Sequence, residues 1–92
     1  MIRSFRDPET EHLFHRNVSQ RWSAIGRVAL RRLRLIHNAA SLMDLRVPPG
    51  NRLETLKGDR AGAYSIRING QYRICFRWKD GDAYDVEVTD YH

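Results

Sequence analysis

Glu54, Lys57, Asp59, Asp90, Tyr91 and His92 place acids, bases and a phenol around three arginines, Arg67, Arg73 and Arg77. Groups of these types could open an RNA phosphodiester without a metal. A base removes the proton from the ribose 2′-OH, a cation steadies charge on the phosphate, and an acid protonates the leaving 5′ oxygen. Tyr91 can also stack on a base. Each residue has a plainer alternative. Glu54 in a strand can face solvent, Lys57 and Asp59 can shape a turn, and the last residues of a domain commonly fray.

The whole chain narrows the setting. Sixteen Lys and Arg against eleven Asp and Glu leave a net charge of +5, and Arg supplies fourteen of the sixteen. Arginine's planar fork suits bidentate contact with phosphate. RNA, DNA, an anionic membrane surface or an acidic protein fits that balance. Cys75 is the one cysteine, so no internal disulfide forms, and no Cys/His cluster has metal-ligand spacing. No cofactor is expected. The chain shows no signal-peptide stretch and no run near the ~20 apolar residues that span a bilayer. The cytoplasm is the expected compartment, and one domain over residues 1–92 is the expected organisation.

Strands and helices must position those groups. Residues 63–68 alternate, with Tyr64, Ile66 and Ile68 on one side and Ser65 and Arg67 on the other. Residues 71–78 alternate again, with Tyr72, Ile74, Phe76 and Trp78 against Arg73, Cys75 and Arg77. Residues 83–89 predict a last strand with Tyr84, Val86 and Val88 inward. Asn69-Gly70 and Lys79-Asp80-Gly81-Asp82 are turns. Residues 52–56 predict a further strand, anchored by Leu53 and Leu56, before a charged loop over 57–62.

Upstream, the pattern is helical. Asp7-Pro8 starts a helix that buries Leu13 and Phe14 and ends near Asn17. A second helix covers residues 22–40, with Ser19 or Ser23 as its cap. Trp22, Ile25, Ala29, Leu33, Ile36 and Ala40 form its apolar stripe. Arg27, Arg31, Arg34 and Asn38 lie opposite, as a solvated face or a cationic ridge for rRNA or an acidic partner. Residues 1–5 form a short strand, residues 41–47 a turn or helical remnant, and Pro48-Pro49-Gly50-Asn51 a loop.

Strand parity selects the hairpin. A two-residue Asn69-Gly70 loop pairs Ile66 with Arg73 and mixes the two faces of the sheet. A three-residue loop, residues 69–71, pairs Ile68 with Tyr72 and Ile66 with Ile74. It also sets Arg67 opposite Arg73, an unfavourable like-charge pair that calls for an anion. Asp85 and Glu87 on the next strand could neutralise part of the row, with Arg77 as the salt-bridge partner and Arg73 as the phosphate ligand. In a regular strand Tyr91 shares the Arg73 face while Asp90 and His92 point away. Their cooperation therefore requires a bend after Thr89.

These residues carry a resemblance. Leu56-Lys57-Gly58-Asp59-Arg60-Ala61-Gly62-Ala63-Tyr64-Ser65-Ile66-Arg67-Ile68 resembles the HigB branch of the RelE/ParE toxin superfamily. So do Tyr72-Arg73-Ile74-Cys75-Phe76, Gly81-Asp82-Ala83-Tyr84, the opening Ile2-Arg3-Ser4-Phe5 and the ending Asp90-Tyr91-His92. The resemblance implies an α+β fold, two N-terminal helices packed on a curved, mainly antiparallel β-sheet. It implies a ribosome-dependent endoribonuclease that cuts mRNA at the decoding site. It also implies a helix-turn-helix antitoxin of the HigA type, through whose complex alone operator DNA is met.

Carried over by position, Arg73 stabilises the phosphate and Lys57 helps bind or polarise it. Asp90 and His92 supply acid–base function, and Tyr91 stacks on or orients the nucleotide. Arg67 and Arg77 join as RNA-binding cations. Where Glu54 stands, some HigB-type toxins carry a histidine expected to be catalytic. A carboxylate suits the base role and donates protons poorly at neutral pH. His92 then takes the acid role, or turnover is slower, or burial adapts Glu54. Two other functions stay open: a ParE-type toxin acting on gyrase without nuclease activity, and a catalytically silent RNA- or protein-binding module.

Overall fold

The first helix begins as its sequence predicts. Asp7 Oδ1 accepts the N–H of Thr10 at 2.7 Å, and Asp7 Oδ2 accepts its hydroxyl at 3.0 Å. Glu9 and Glu11 follow in the first turn, where the helix dipole favours negative charge. A computed structural model describes residues 1–16 and 24–90. Trp22, Ser19 and Ser23 lie outside those residues, as do Tyr91 and His92. Helix α1 is Pro8–Arg16 and α2 is Gly26–Asn38. Short 3-10 turns at Leu42–Arg46, Pro49–Asn51 and Gly58–Arg60 alternate with strands β1 (Glu54–Thr55), β2 (Ala63–Arg67), β3 (Tyr72–Lys79) and β4 (Asp82–Asp90).

Ala29, Leu33 and Ile36 of α2 are fully buried against Ile66, Ile74, Phe76 and Val86 of the sheet. Each large apolar side chain buried there contributes roughly 1.5–3 kcal/mol. Arg27, Arg31, Arg34 and Asn38 are exposed, as their phase requires. The stripe ends one residue early. Ala39 is buried and Ala40 exposed, because α2 stops at Asn38 and Ala39 is already extended.

The sheet runs β1-β2-β3-β4 with every pair antiparallel. The β2–β3 register pairs Ile66 with Ile74 and Arg67 with Arg73, and Ile68 N–H donates to Tyr72 O at 2.9 Å. That is the three-residue loop chosen by parity. β1 is shorter than predicted, two residues in place of five, because Arg52 before it has left-handed backbone angles.

β4 departs from simple alternation. Cys75 pairs with Glu87, yet Arg77 pairs with Tyr84, so β4 holds one extra residue. Asp85 absorbs it at φ +52°. The bulge flips the phase before it. Ala83, Val86 and Val88 face the helices, whereas Tyr84 joins Arg77 on the far side. Tyr84 is therefore not one of the inward residues that unbroken alternation predicts.

The outer edge of β4 is covered by the N-terminal segment. Ile2 and Phe5 bridge in parallel to Ala83 and Val86. Beyond them the Val88 N–H donates to the fully buried Thr10 hydroxyl at 3.1 Å. This edge offers no row of unpaired amides to another strand. Asp82 fastens its start. The N-terminal amino group, at 3.1 Å, and then Arg3, at 3.2 Å, hold the Asp82 carboxyl below its ordinary range.

Thr10→Val removes the acceptor and leaves the Val88 amide buried without a partner. The expected cost is about 1–3 kcal/mol, read as a lowered urea midpoint. An unchanged midpoint would show that another group serves that amide. Asp82→Asn should cause a small loss of thermal stability at neutral pH. A carboxyl lowered in the folded state stabilises above its unfolded pKa, and that share fades as pH falls through the folded value. The gap between Asp82→Asn and wild type should therefore close in acid, and a gap that widens there would contradict the pairing.

Candidate active site

The sheet face turned away from the helices carries the polar residues in rows. Glu54, Ser65, Cys75 and Glu87 stand side by side across β1 to β4, and Arg67, Arg73 and Thr89 form the next row. This face is not the solvated surface that alternation suggests. Residues 52–62 fold over it, and Leu56 packs with Ala63 and Cys75 in a second small core. Ser65 is fully buried beside them and Arg73 is only 8% exposed.

A guanidinium placed there needs acceptors in exchange for water. Arg73 Nε donates to Ser65 Oγ at 2.7 Å. Its Nη2 donates to Arg52 O at 2.5 Å and to Ser65 O at 3.3 Å, with Glu54 Oε2 at 3.8 Å. Glu54 itself is 53% exposed. Arg67 faces Arg73 across the strands, as predicted, and has no carboxylate partner among the described residues. Its carbonyl accepts from Arg32 Nε of α2 at 3.2 Å, which ties this corner to the helix.

These residues converge on a cleft of about 300 Å³ lined by Arg52, Glu54, Arg67, Asn69, Gly70 and Arg73. The remaining candidates lie elsewhere. Arg77 sits 4.0 Å from Asp85 and donates to Ala61 O at 3.4 Å, so it is the salt-bridge partner of the arginine row. Glu87 is occupied by Arg60 and, at 3.7 Å, by Arg6. Arg77, Asp59, Arg60, Arg6 and Glu87 line a separate cleft of about 440 Å³. Lys57 is exposed at the start of the Gly58–Arg60 turn and does not line the Arg73 cleft.

Asp90 pairs with Tyr72 at the end of β4 and accepts from Gln71 Nε2 at 3.3 Å. It shares the side of Tyr72, whose ring packs on the helix-side core, and so points away from Arg73. β4 runs straight through Thr89 to Asp90, so the predicted bend is absent up to that residue. The roles expected of Tyr91 and His92 lie outside the described residues.

Arg52 and Ser65 were not singled out by sequence reasoning. Ser65 was reachable, because the register that pairs Arg67 with Arg73 also sets Ser65 one step away on the same face. Arg52 was not. It follows Pro49-Gly50-Asn51 and reads as the start of a strand, and nothing in its type announces a φ of +46°.

A buried, braced guanidinium beside an exposed carboxylate, on a helix-backed antiparallel sheet, is an arrangement suited to a phosphodiester. Solved structures share the architecture. YafQ from E. coli superposes with a TM-score of 0.66 at 10% identity, over 98% of this chain and 91% of that one. The YoeB toxin of the YoeB–YefM complex from Staphylococcus aureus superposes with a TM-score of 0.62 at 15% identity, over 100% and 98%. These likenesses define the fold, an α+β arrangement of two helices on an antiparallel sheet.

The family follows from sequence. The description RelE-like toxin of type II toxin-antitoxin system HigB matches residues 3–92. Toxin HigB-1 of Vibrio cholerae serotype O1 is 40% identical over 90% of both chains. A protein of Proteus vulgaris named Endoribonuclease HigB is 36% identical over the full length of both. The chain belongs to the HigB-like toxin family of type II toxin–antitoxin systems. An antitoxin is accordingly its partner class. No helix among the described residues is long and apolar enough to cross a membrane.

The two cross-strand arginines should behave differently when truncated. Arg73→Ala strands the Ser65 hydroxyl and the Arg52 carbonyl, at a cost of about 1–3 kcal/mol. Arg67→Ala should stay within about 0.5 kcal/mol of wild type. Equal denaturation midpoints for the two variants would contradict the structural role of Arg73.

Proposed function

We propose that this toxin is a ribosome-dependent endoribonuclease that cuts mRNA in the decoding site and so stops translation. The observation that carries the reading is the cleft in which Glu54 stands among Arg52, Arg67 and Arg73. Glu54 takes the proton of the ribose 2′-OH, and the freed oxygen attacks phosphorus. Arg73, rigidly held by Ser65 and Arg52, steadies the charge on the phosphate together with Arg67. Tyr91 and His92 follow directly on β4, whose Thr89 is the register partner of Arg73. His92 protonates the leaving 5′ oxygen, with Asp90 supporting its acid–base role, and Tyr91 stacks on the nucleotide. Lys57 and Arg77 hold flanking backbone.

A small basic protein cutting naked RNA would be indiscriminate. Dependence on the ribosome supplies the substrate already positioned, which contributes much of the rate in a site with few catalytic groups. The reaction takes place in the cytoplasm. A HigA-type helix-turn-helix antitoxin neutralises the toxin, and their complex carries it to operator DNA.

The reading is tested with purified toxin on translating ribosomes, on naked mRNA and in a gyrase supercoiling assay. Cleavage on ribosomes, little on naked RNA and no effect on supercoiling are expected. Glu54→Gln and deletion of His92 should each lower single-turnover cleavage by roughly a hundredfold or more, the scale of a lost acid–base group, and Tyr91→Ala should lower it through the loss of about 1–3 kcal/mol of base stacking. A folded sample that leaves ribosome-bound mRNA intact would refute the nuclease reading, and loss of supercoiling would replace it with a gyrase toxin.

A further inference from the structure

Arg52 is the arginine of the cleft whose side chain the acid–base scheme leaves unused. Its backbone is left-handed, φ +46° and ψ 60°, a region non-glycine residues seldom occupy. Its surroundings hold it there. The Arg52 N–H donates to Pro49 O at 3.1 Å, closing the 3-10 turn. Asn51, fully buried, anchors that turn by donating from Nδ2 to Leu45 O at 3.3 Å and Val47 O at 3.2 Å. The carbonyl of Arg52 then points to Arg73 and accepts its Nη2 at 2.5 Å.

The side chain of Arg52 is exposed and lines the same cleft as Glu54, Arg67 and Arg73. No carboxylate pairs with it among the described residues. Three guanidiniums converge there on one carboxylate, which leaves the cleft positive. Arg73 is already engaged by protein acceptors, whereas the side chains of Arg67 and Arg52 have none among the described residues. An incoming anion therefore meets Arg67 from the sheet and Arg52 from the turn, a pair of forks suited to the oxygens of one phosphate.

We propose that Arg52 is a phosphate-binding residue for the backbone of single-stranded RNA, and that its main-chain carbonyl positions Arg73. One residue thus does two things by separate groups. The strained turn at residues 49–52 is kept because it presents the side chain to the substrate while turning the carbonyl inward. The proposal rests on the reading of RNA as substrate, and substitutions can separate its two halves.

Glycine accepts the left-handed backbone, so Arg52→Gly removes the side chain and keeps the carbonyl in place. Proline, fixed at a φ of about −65° and lacking the N–H given to Pro49 O, removes the side chain and displaces the carbonyl as well. The probe is a 2′-O-methyl RNA oligonucleotide, which lacks the attacking hydroxyl and cannot be cut. Its binding is followed by fluorescence anisotropy across a range of salt.

Arg52→Gly should bind roughly tenfold more weakly. Its plot of log affinity against log salt should be shallower by about 0.7, the signature of one lost phosphate contact on a single strand. Its thermal midpoint should stay near wild type, and Arg52→Lys should restore the slope. On translating ribosomes Arg52→Gly should raise KM with little change in kcat. Arg52→Pro should lower kcat as well, because Arg73 loses its brace. A wild-type salt slope for Arg52→Gly would overturn the phosphate contact, as would failure of the wild-type protein to bind the probe. Equal kcat for the Gly and Pro variants, both folded, would overturn the positioning role. A lost slope in a protein that cuts nothing on ribosomes would support the phosphate contact while refuting the nuclease reading. Weakened antitoxin binding with RNA binding intact would overturn the proposal in favour of an acidic protein surface.

Discussion

Arg73 stands on a central strand with its guanidinium only 8% exposed, and a guanidinium gives up water only where acceptors replace it. Three acceptor atoms on two neighbours answer that need. Ser65 on β2 supplies a hydroxyl and a carbonyl, and Arg52 supplies a second carbonyl from the turn before β1. Meeting the demand of one buried cation draws the 49–62 segment over the sheet. Once there, the segment buries Leu56 against Ala63 and Cys75 and places Glu54 at the edge of the cleft. The same hydrogen bonds that make Arg73 tolerable also make it rigid. Rigidity is what a group needs if it is to meet developing charge without reorganising.

The opposite face of the sheet has a simpler task. Helix α2 lays Ala29, Leu33 and Ile36 on the sheet, and the N-terminal segment with Thr10 closes the outer edge of β4. That half of the molecule fixes the curvature and register of the strands and leaves the far face to chemistry. The two halves meet at Arg32, whose Nε reaches from α2 to the carbonyl of Arg67. Cations are divided in the same way. Arg6, Arg60 and Arg77 are matched with Glu87 and Asp85, whereas Arg52 and Arg67 face the cleft with no carboxylate partner among the described residues. A modest net charge of +5 thereby becomes a local field at one place.

Much of this was legible in the chain itself, wherever the cause is local. Asp7-Pro8 sets a helix start because a carboxylate and a fixed φ act within one turn. The Ile66–Ile74 and Arg67–Arg73 pairings followed from alternation and loop length alone, since a slip of one residue would turn every apolar side chain outward. The resemblance in residues 56–68 and 72–76 points to the same family that matches residues 3–92.

Tertiary structure decided the rest, because the causes lie far apart in sequence. The bulge at Asp85 moved Tyr84 to the far face and brought Ala83 inward, which alternation cannot foresee. Unbroken pairing of β4 as far as Asp90 leaves that residue on the side of Tyr72, where a regular strand places it. Burial of Arg73 depends on a segment some twenty residues upstream (Arg52 stands 21 positions away) folding back to offer a carbonyl. Sequence determined which groups could bind and cleave a phosphodiester and which strands carry them. Only the folded chain decided which meet, because a buried charge is satisfied by whatever acceptors the whole fold can bring to it.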